Sequence, residues 1–225
     1  ILPLARDFAA ILAQFRAYQI STTESRGGGF PSPNPVLTSS GENLPALADW
    51  VKKKYPKEWG IVMSAMRDIL PNLKEISVEY LSNKALGLFF SEEGFGRPWR
   101  SDEISDGTIL SLSALLASVD PRSSLVFIDE PENSVHPWIL RVLVNQFREV
   151  SKQKNVILTS HSPVLINLLT PEEVWVVYRT GGETQLKRLI ELDPSISESW
   201  KGGAYQLSEF LDSGALAHAV PGGVF

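Results

Sequence analysis

The sequence predicts an α/β chain built on a parallel sheet, preceded by a helical stretch and a small antiparallel element. Three observations carry that expectation. Leu125–Ile128 is a continuous apolar run, and Asn155–Thr159 (NVILT) is a second short strand-like run. Both suit strands of a parallel sheet, where helices cover the faces and polar alternation is lost. Between them, residues 137–151 have helical length and spacing, which makes a βαβ unit with a right-handed crossover. Upstream, Ile76, Val78 and Tyr80 alternate within LKEISVEYL, the turn-like Ser82-Asn83-Lys84 follows, and ALGLFFS is a second strand.

Taken in order, Leu4, Phe8, Ile11, Leu12 and Phe15 form an apolar stripe that predicts one helix over 4–20. Residues 21–43 are rich in Ser, Thr, Gly, Pro and Asn and read as a long flexible loop. Helices are expected over 44–55 and from Pro56 to Pro71, since proline suits a first helical turn and stops a helix it follows. A short third strand is expected near 95–100, then a helix over 105–118 ahead of the βαβ unit, and a short helix from Pro163. EVWVVYR and TQLKRLIEL flank Gly181-Gly182 as a hairpin, and a last helix covers 204–213. The expected division is a helical insertion or arm over 1–72 and a C-terminal lobe over 73–225.

A chain of 225 residues, 43% apolar, can bury a substantial core. Its net charge of −5 gives no global electrostatic case for nucleic-acid binding. The cluster Lys52, Lys53, Lys54 and Lys57 reads as a solvated helix face. The absence of cysteine excludes disulfides and thiolate metal sites. No apolar run approaches the ~18 residues needed to span a bilayer and no signal peptide is visible, so a cytoplasmic protein is expected.

The chemistry concentrates in three places. The run LVFI ends in Asp129 and Glu130, followed by Pro131. Ligands of open parallel sheets bind at the carboxyl ends of strands, where an Asp can order hydrated Mg²⁺ and a Glu can deprotonate water. The competing reading is a buried strand whose acids cap the next helix. The second strand leads into Ser160-His161-Ser162-Pro163, placing His161 after the neighbouring strand of the same βαβ unit. A neutral imidazole there can donate to a phosphate oxygen, although a lone histidine after a strand is commonly structural. Third, Ser105-Asp106-Gly107-Thr108 stands before ILSLSALLASV. Ser105 is a good N-cap, and a helix N-terminus attracts phosphate, although such a cap is commonplace.

In this order and spacing, SDGTILSLSALLA, FIDEPENSVHP and LTSHSP resemble the ABC-type ATPases of the SMC/RecF-like branch. The similarity is greatest to the bacterial AAA-type proteins grouped with the overcoming-lysogenization-defect ATPases and the ATPase subunits of anti-phage systems. SGENLPAL (40–47) and LSEFLDSGAL (207–216) extend it over most of the chain from about residue 36. The resemblance implies the C-terminal lobe of a P-loop NTPase that takes ATP and Mg²⁺. Ser105, Asp106 and Gly107 then match the signature motif, which contacts the γ-phosphate of ATP held by a partner subunit. Asp129 matches the Mg²⁺-ordering acid, Glu130 the catalytic glutamate and His161 the switch histidine, and Asn133–His136 fall in the D-loop. Asp106 stands where the wider ABC signature has glycine, and Ser134-Val135 departs from the usual Gly-Leu or Gly-Ile. The implied partners are a second copy in a head-to-tail dimer or larger oligomer and an effector such as a nuclease or toxin, in phage defence or DNA repair.

No G-x-x-x-x-G-K-[ST] occurs in the sequence, and Arg26-Gly27-Gly28-Gly29-Phe30 lacks the Lys-Ser/Thr and following helix of a phosphate loop. The expectation is therefore an ATPase when complete, with this chain alone inactive. The alternative is a scaffold or dimerisation fragment that lends its signature and Walker B elements to a P-loop on another chain.

Overall fold

The computed structural model describes residues 2–82, 84–203 and 206–212. Two compact units divide the chain, residues 1–160 and 161–225.

The first unit opens with helix α1 (Leu2–Leu12), strand β1 (Phe15–Tyr18) and the short helix α2 (Thr22–Arg26). Helices α3 (Leu44–Lys54) and α4 (Pro56–Ile69) follow, then strands β2 (Leu73–Tyr80), β3 (Leu86–Glu92) and β4 (Trp99–Arg100). A 3-10 turn at Ser101–Glu103 leads into helix α5 (Asp106–Val119). The βαβ unit is β5 (Leu125–Asp129), α6 (Pro137–Ser151) and β6 (Asn155–Thr159).

The main sheet is parallel, in the order β1-β5-β6, and β2-β3-β4 form a separate antiparallel sheet. The α/β class expected from the sequence is the class observed. One helix over 4–20 is not: the helix ends at Leu12, and Phe15–Tyr18 pair in parallel with Leu125–Ile128. Four residues are too few for side-chain spacing to distinguish strand from helix, and the pairing that fixes this strand lies 110 residues away. The stretch 21–43 also holds a helix, α2, capped by Ser21, whose hydroxyl accepts from the Glu24 N–H at 3.4 Å. Its glycines serve packing: Gly29 exchanges backbone hydrogen bonds with Leu86, and a Cβ there would stand 2.8 Å from Asn43 Oδ1.

Helix α5 is the centre of the unit, with every residue from Gly107 to Val119 buried. That is why it reads as apolar all round rather than striped. Its buried serines are satisfied within the helix: Ser111 and Ser113 donate to the Gly107 and Ile109 carbonyls at 2.6 and 2.9 Å. Helices cover one face of the parallel sheet, where Val126 and Ile128 are fully buried. On the other face, Phe15 and Ile157 remain 42% and 45% exposed and Phe127 is half-buried. Parallel sheets are ordinarily covered on both faces, and this face is only partly so.

Below the sheet, Asp120 accepts from Arg122 through both side-chain oxygens, at 2.6 and 2.8 Å. Arg122 also lies over the Trp50 ring at 3.9 Å, and Lys154 reaches the Asp120 carbonyl at 2.5 Å. Two lysines of the basic cluster are paired, Lys52 with Glu75 and Lys53 with Asp49, each at 2.7 Å.

The second unit contains α7 (Pro163–Ile166), a 3-10 turn at Pro171–Glu173 and the hairpin β7 (Trp175–Thr180) and β8 (Glu183–Arg188). Then come α8 (Leu189–Leu192), α9 (Ile196–Lys201) and α10 (Leu207–Asp212) around Val174, Leu189, Ile196 and Leu207. The second half of TQLKRLIEL is α8 rather than strand. Residues 204, 205 and 213 of the expected last helix, 213–216 of LSEFLDSGAL and Asn83 of the expected turn lie outside the described residues. Among the described residues no helix is long and apolar enough to cross a membrane.

Candidate ATPase site

The carboxyl edge of the parallel sheet is a row of polar side chains. Asp129 ends β5 and pairs with Thr159 at the end of β6. Tyr18 pairs with Ile128, which sets Gln19 level with Asp129. The row is closed by hydrogen bonds: Gln19 Nε2 donates to Asp129 Oδ2 at 3.1 Å, and Thr159 Oγ1 donates to Asp129 Oδ1. A carboxylate has about four acceptor positions, so two remain for other donors.

Glu130 is the next residue, and its backbone turns into the left-handed region at φ 44°. A non-glycine residue held there costs roughly 1–2 kcal/mol, a strain that concentrates at functional sites. Its N–H is shared between the carbonyl and hydroxyl oxygens of Thr159, both at 3.2 Å. Asn133 Nδ2 donates to Glu130 Oε2 at 3.0 Å, and Ser160 Oγ to Glu132 Oε1 at 2.5 Å. The second oxygen of Glu132 is buried without a hydrogen-bond partner. The acids are not the cap of the next helix. That place belongs to His136, whose Nδ1 accepts from the Trp138 N–H at 3.4 Å, with Pro137 in the first turn.

Ser105 caps α5, accepting from the Thr108 N–H at 3.3 Å, with its hydroxyl 2.7 Å from that of Thr108. Gly107 then faces the loop after β5: a Cβ on it would stand 2.8 Å from the Ser134 carbonyl and 3.4 Å from Val135 Cα. Ser134 is itself left-handed, at φ 62°. The helix end carrying Ser105-Asp106-Gly107 and the loop carrying Asn133–His136 therefore touch, backbone to backbone. His161 is the first residue of the second unit and is exposed; the following Ser162 caps α7, its Oγ accepting from the Leu165 N–H at 3.4 Å.

The donor set suits hydrated Mg²⁺ better than a caged ion. Asp129, Glu130, Thr159 and Gln19 offer hard oxygen, and among the described residues no group of three or more His, Cys, Asp or Glu could hold a metal by itself. Mg²⁺ is typically bound through one or two carboxylates, waters and substrate phosphates. Sequence reasoning missed Gln19 and Thr159. Neither stands out by residue type; the signal was their place, level with Asp129 on flanking strands.

No curated protein matches the chain. The head domain of Smc from Pyrococcus furiosus, solved with an extended coiled coil and bound to the C-terminal domain of ScpA, is 12% identical. It overlays with a TM-score of 0.50 over 68% of this chain and 40% of its own, which shows a shared fold. A structure described with the ATP-driven dimerization and DNA-stimulated activation of SMC ATPases is 14% identical, with a TM-score of 0.48 over 68% of this chain and 97% of its own. The family described as "AAA domain, putative AbiEii toxin, Type IV TA system" matches residues 10–167, from ahead of β1 to the end of α7. The chain belongs to this AAA-domain family.

Proposed function

We propose that these residues form the hydrolytic half of a Mg²⁺-dependent ATPase whose turnover is coupled to head-to-tail dimerisation. The observation that carries the reading is the row Gln19–Asp129–Thr159 at the carboxyl edge of a parallel sheet, with Glu130 strained into place beside it. Asp129, steadied on both oxygens, would hold the hydration shell of Mg²⁺, and the metal when bound neutralises phosphate charge. Glu130 orients the attacking water and takes its proton, while Asn133 restrains the carboxylate. His161 donates to the γ-phosphate oxygen. Ser105 and Gly107 serve the site of the opposite subunit, with the N-terminus of α5 as the anion-binding end. Gln19 apart, the lobe over 73–225 carries this machinery, and the output is an effector such as a toxin or nuclease, in phage defence or DNA repair. The toxin–antitoxin description of the family supports that output.

In the intact protein, Glu130→Gln should trap the ATP-bound dimer and lower hydrolysis by roughly 10²–10⁴-fold, the usual worth of a general base. Normal turnover by that variant would sink the assignment. A second reading is that this chain lends its signature helix and acids to a P-loop on another polypeptide; the partly exposed apolar face of the parallel sheet, which ends at the Asp129 row, supports it. It predicts no ATP binding by the isolated chain, and stimulation of the P-loop partner that disappears with Ser105→Ala.

A further inference from the structure

The signature end of α5 contains an electrostatic contradiction. The N-terminus of a 14-residue helix carries unpaired N–H groups and partial positive charge, the condition for holding a phosphate. Yet Asp106 is the first residue of that helix, between Ser105 and Gly107, and its side chain is 54% exposed. A carboxylate there satisfies the helix end by itself and repels an incoming phosphate.

Arg26 resolves it. Its NH2 donates to Asp106 Oδ1 at 2.5 Å, and its NH1 donates to the Ser101 carbonyl. Ser101 Oγ returns a hydrogen bond to the Arg26 carbonyl at 3.1 Å. The side chain is 20% exposed, and the preceding Ser25 is fully buried. Arg26 is therefore fixed at both its backbone and its guanidinium, in a fork that a lysine ammonium cannot reproduce. A pair this accessible adds little to folding stability. Its effect falls on the local charge beside Ser105 and Gly107.

We infer that Arg26 is a positioning residue for the signature: it cancels the Asp106 charge and turns that carboxylate aside, so that the α5 N-terminus can receive the phosphate of an opposing subunit. The inference rests on the proposed function, and suppression separates it from a structural role. In the intact protein with MgATP, sedimentation should show Arg26→Gln weakening ATP-dependent dimerisation about tenfold or more, the scale of one uncompensated charge. Arg26→Lys should recover only part, whereas Arg26→Gln with Asp106→Asn should return to within about threefold of the parent. Amide exchange in the isolated chain gives a second readout, with Gly107 and Thr108 exchanging faster in Arg26→Gln while the urea midpoint holds. Undiminished dimerisation in Arg26→Gln overturns the inference, as does failure of Asp106→Asn to suppress it. If the unaltered protein shows no ATP-dependent association, the proposed function falls and this inference with it.

Discussion

The contact between α5 and the loop after β5 makes a sharp prediction for Gly107→Ala. In an ordinary helix interior that change stabilises by up to about 1 kcal/mol, because glycine is the poorer helix former. Here the added methyl must stand 2.8 Å from the Ser134 carbonyl, roughly half an ångström inside normal contact, and 3.4 Å from Val135 Cα. Neither neighbour is the end of a flexible side chain. Both are backbone, and Ser134 is already left-handed. Overpacking of this kind costs about 1–3 kcal/mol, so the clash outweighs the propensity gain and the net loss should be about 1 kcal/mol. Urea unfolding at neutral pH measures it, and amide exchange over Asn133–His136 should rise, because the loop is what gives way. A variant as stable as the parent, with unchanged exchange in that loop, would refute the argument that close approach requires glycine here.

Two predictions concern the polar groups beneath the site. Burial first, then the nearby Asp120 charge, pushes the Tyr18 phenol up to about 12 from its usual 10. Because the folded-state value is the raised one, the associated stability is fully present below pH 10 and is lost as pH climbs towards 12. Two units correspond to roughly 2–3 kcal/mol in full; urea midpoints at pH 8 and 11 should show about half of that fall, and Tyr18→Phe should flatten it. Asp120→Ala takes the buried carboxylate from Arg122, whose guanidinium keeps Asn34 and the Trp50 ring, and should cost about 1.5–3 kcal/mol, against near-neutrality for cutting the exposed pair with Lys152→Ala.

Much of the first unit was legible because its signals are local. Leu125–Ile128 announces a parallel strand by being unbroken, although only one of its faces is covered, and the Asp-Glu that follows can only stand at its carboxyl end. Ser105 announces the start of α5 by its type. What stayed hidden depends on pairing across the chain. β1 is a strand because β5 is beside it, and nothing within FRAY says so. Gln19 and Thr159 became site residues only when three strands were aligned, and the tight seat of Gly107 against Ser134 could be known only from the backbone. The α8 segment, LIEL, carries too few residues for its period to be read at all.

The arrangement of the main sheet also sets a timetable for synthesis. Phe15 must wait for Leu125, and Gln19 for Asp129, a separation of 110 residues. At about 5–20 residues per second, β1 leaves the ribosome roughly 5–20 s before its partner strand exists. Thr159, the other neighbour that donates to Asp129, is made later still, so the first unit assembles its carboxylate row last and from both of its extremes. A nascent chain halted before Asn155 carries β1 and the acids but lacks β6, and with it the Thr159 hydroxyl that holds one oxygen of Asp129.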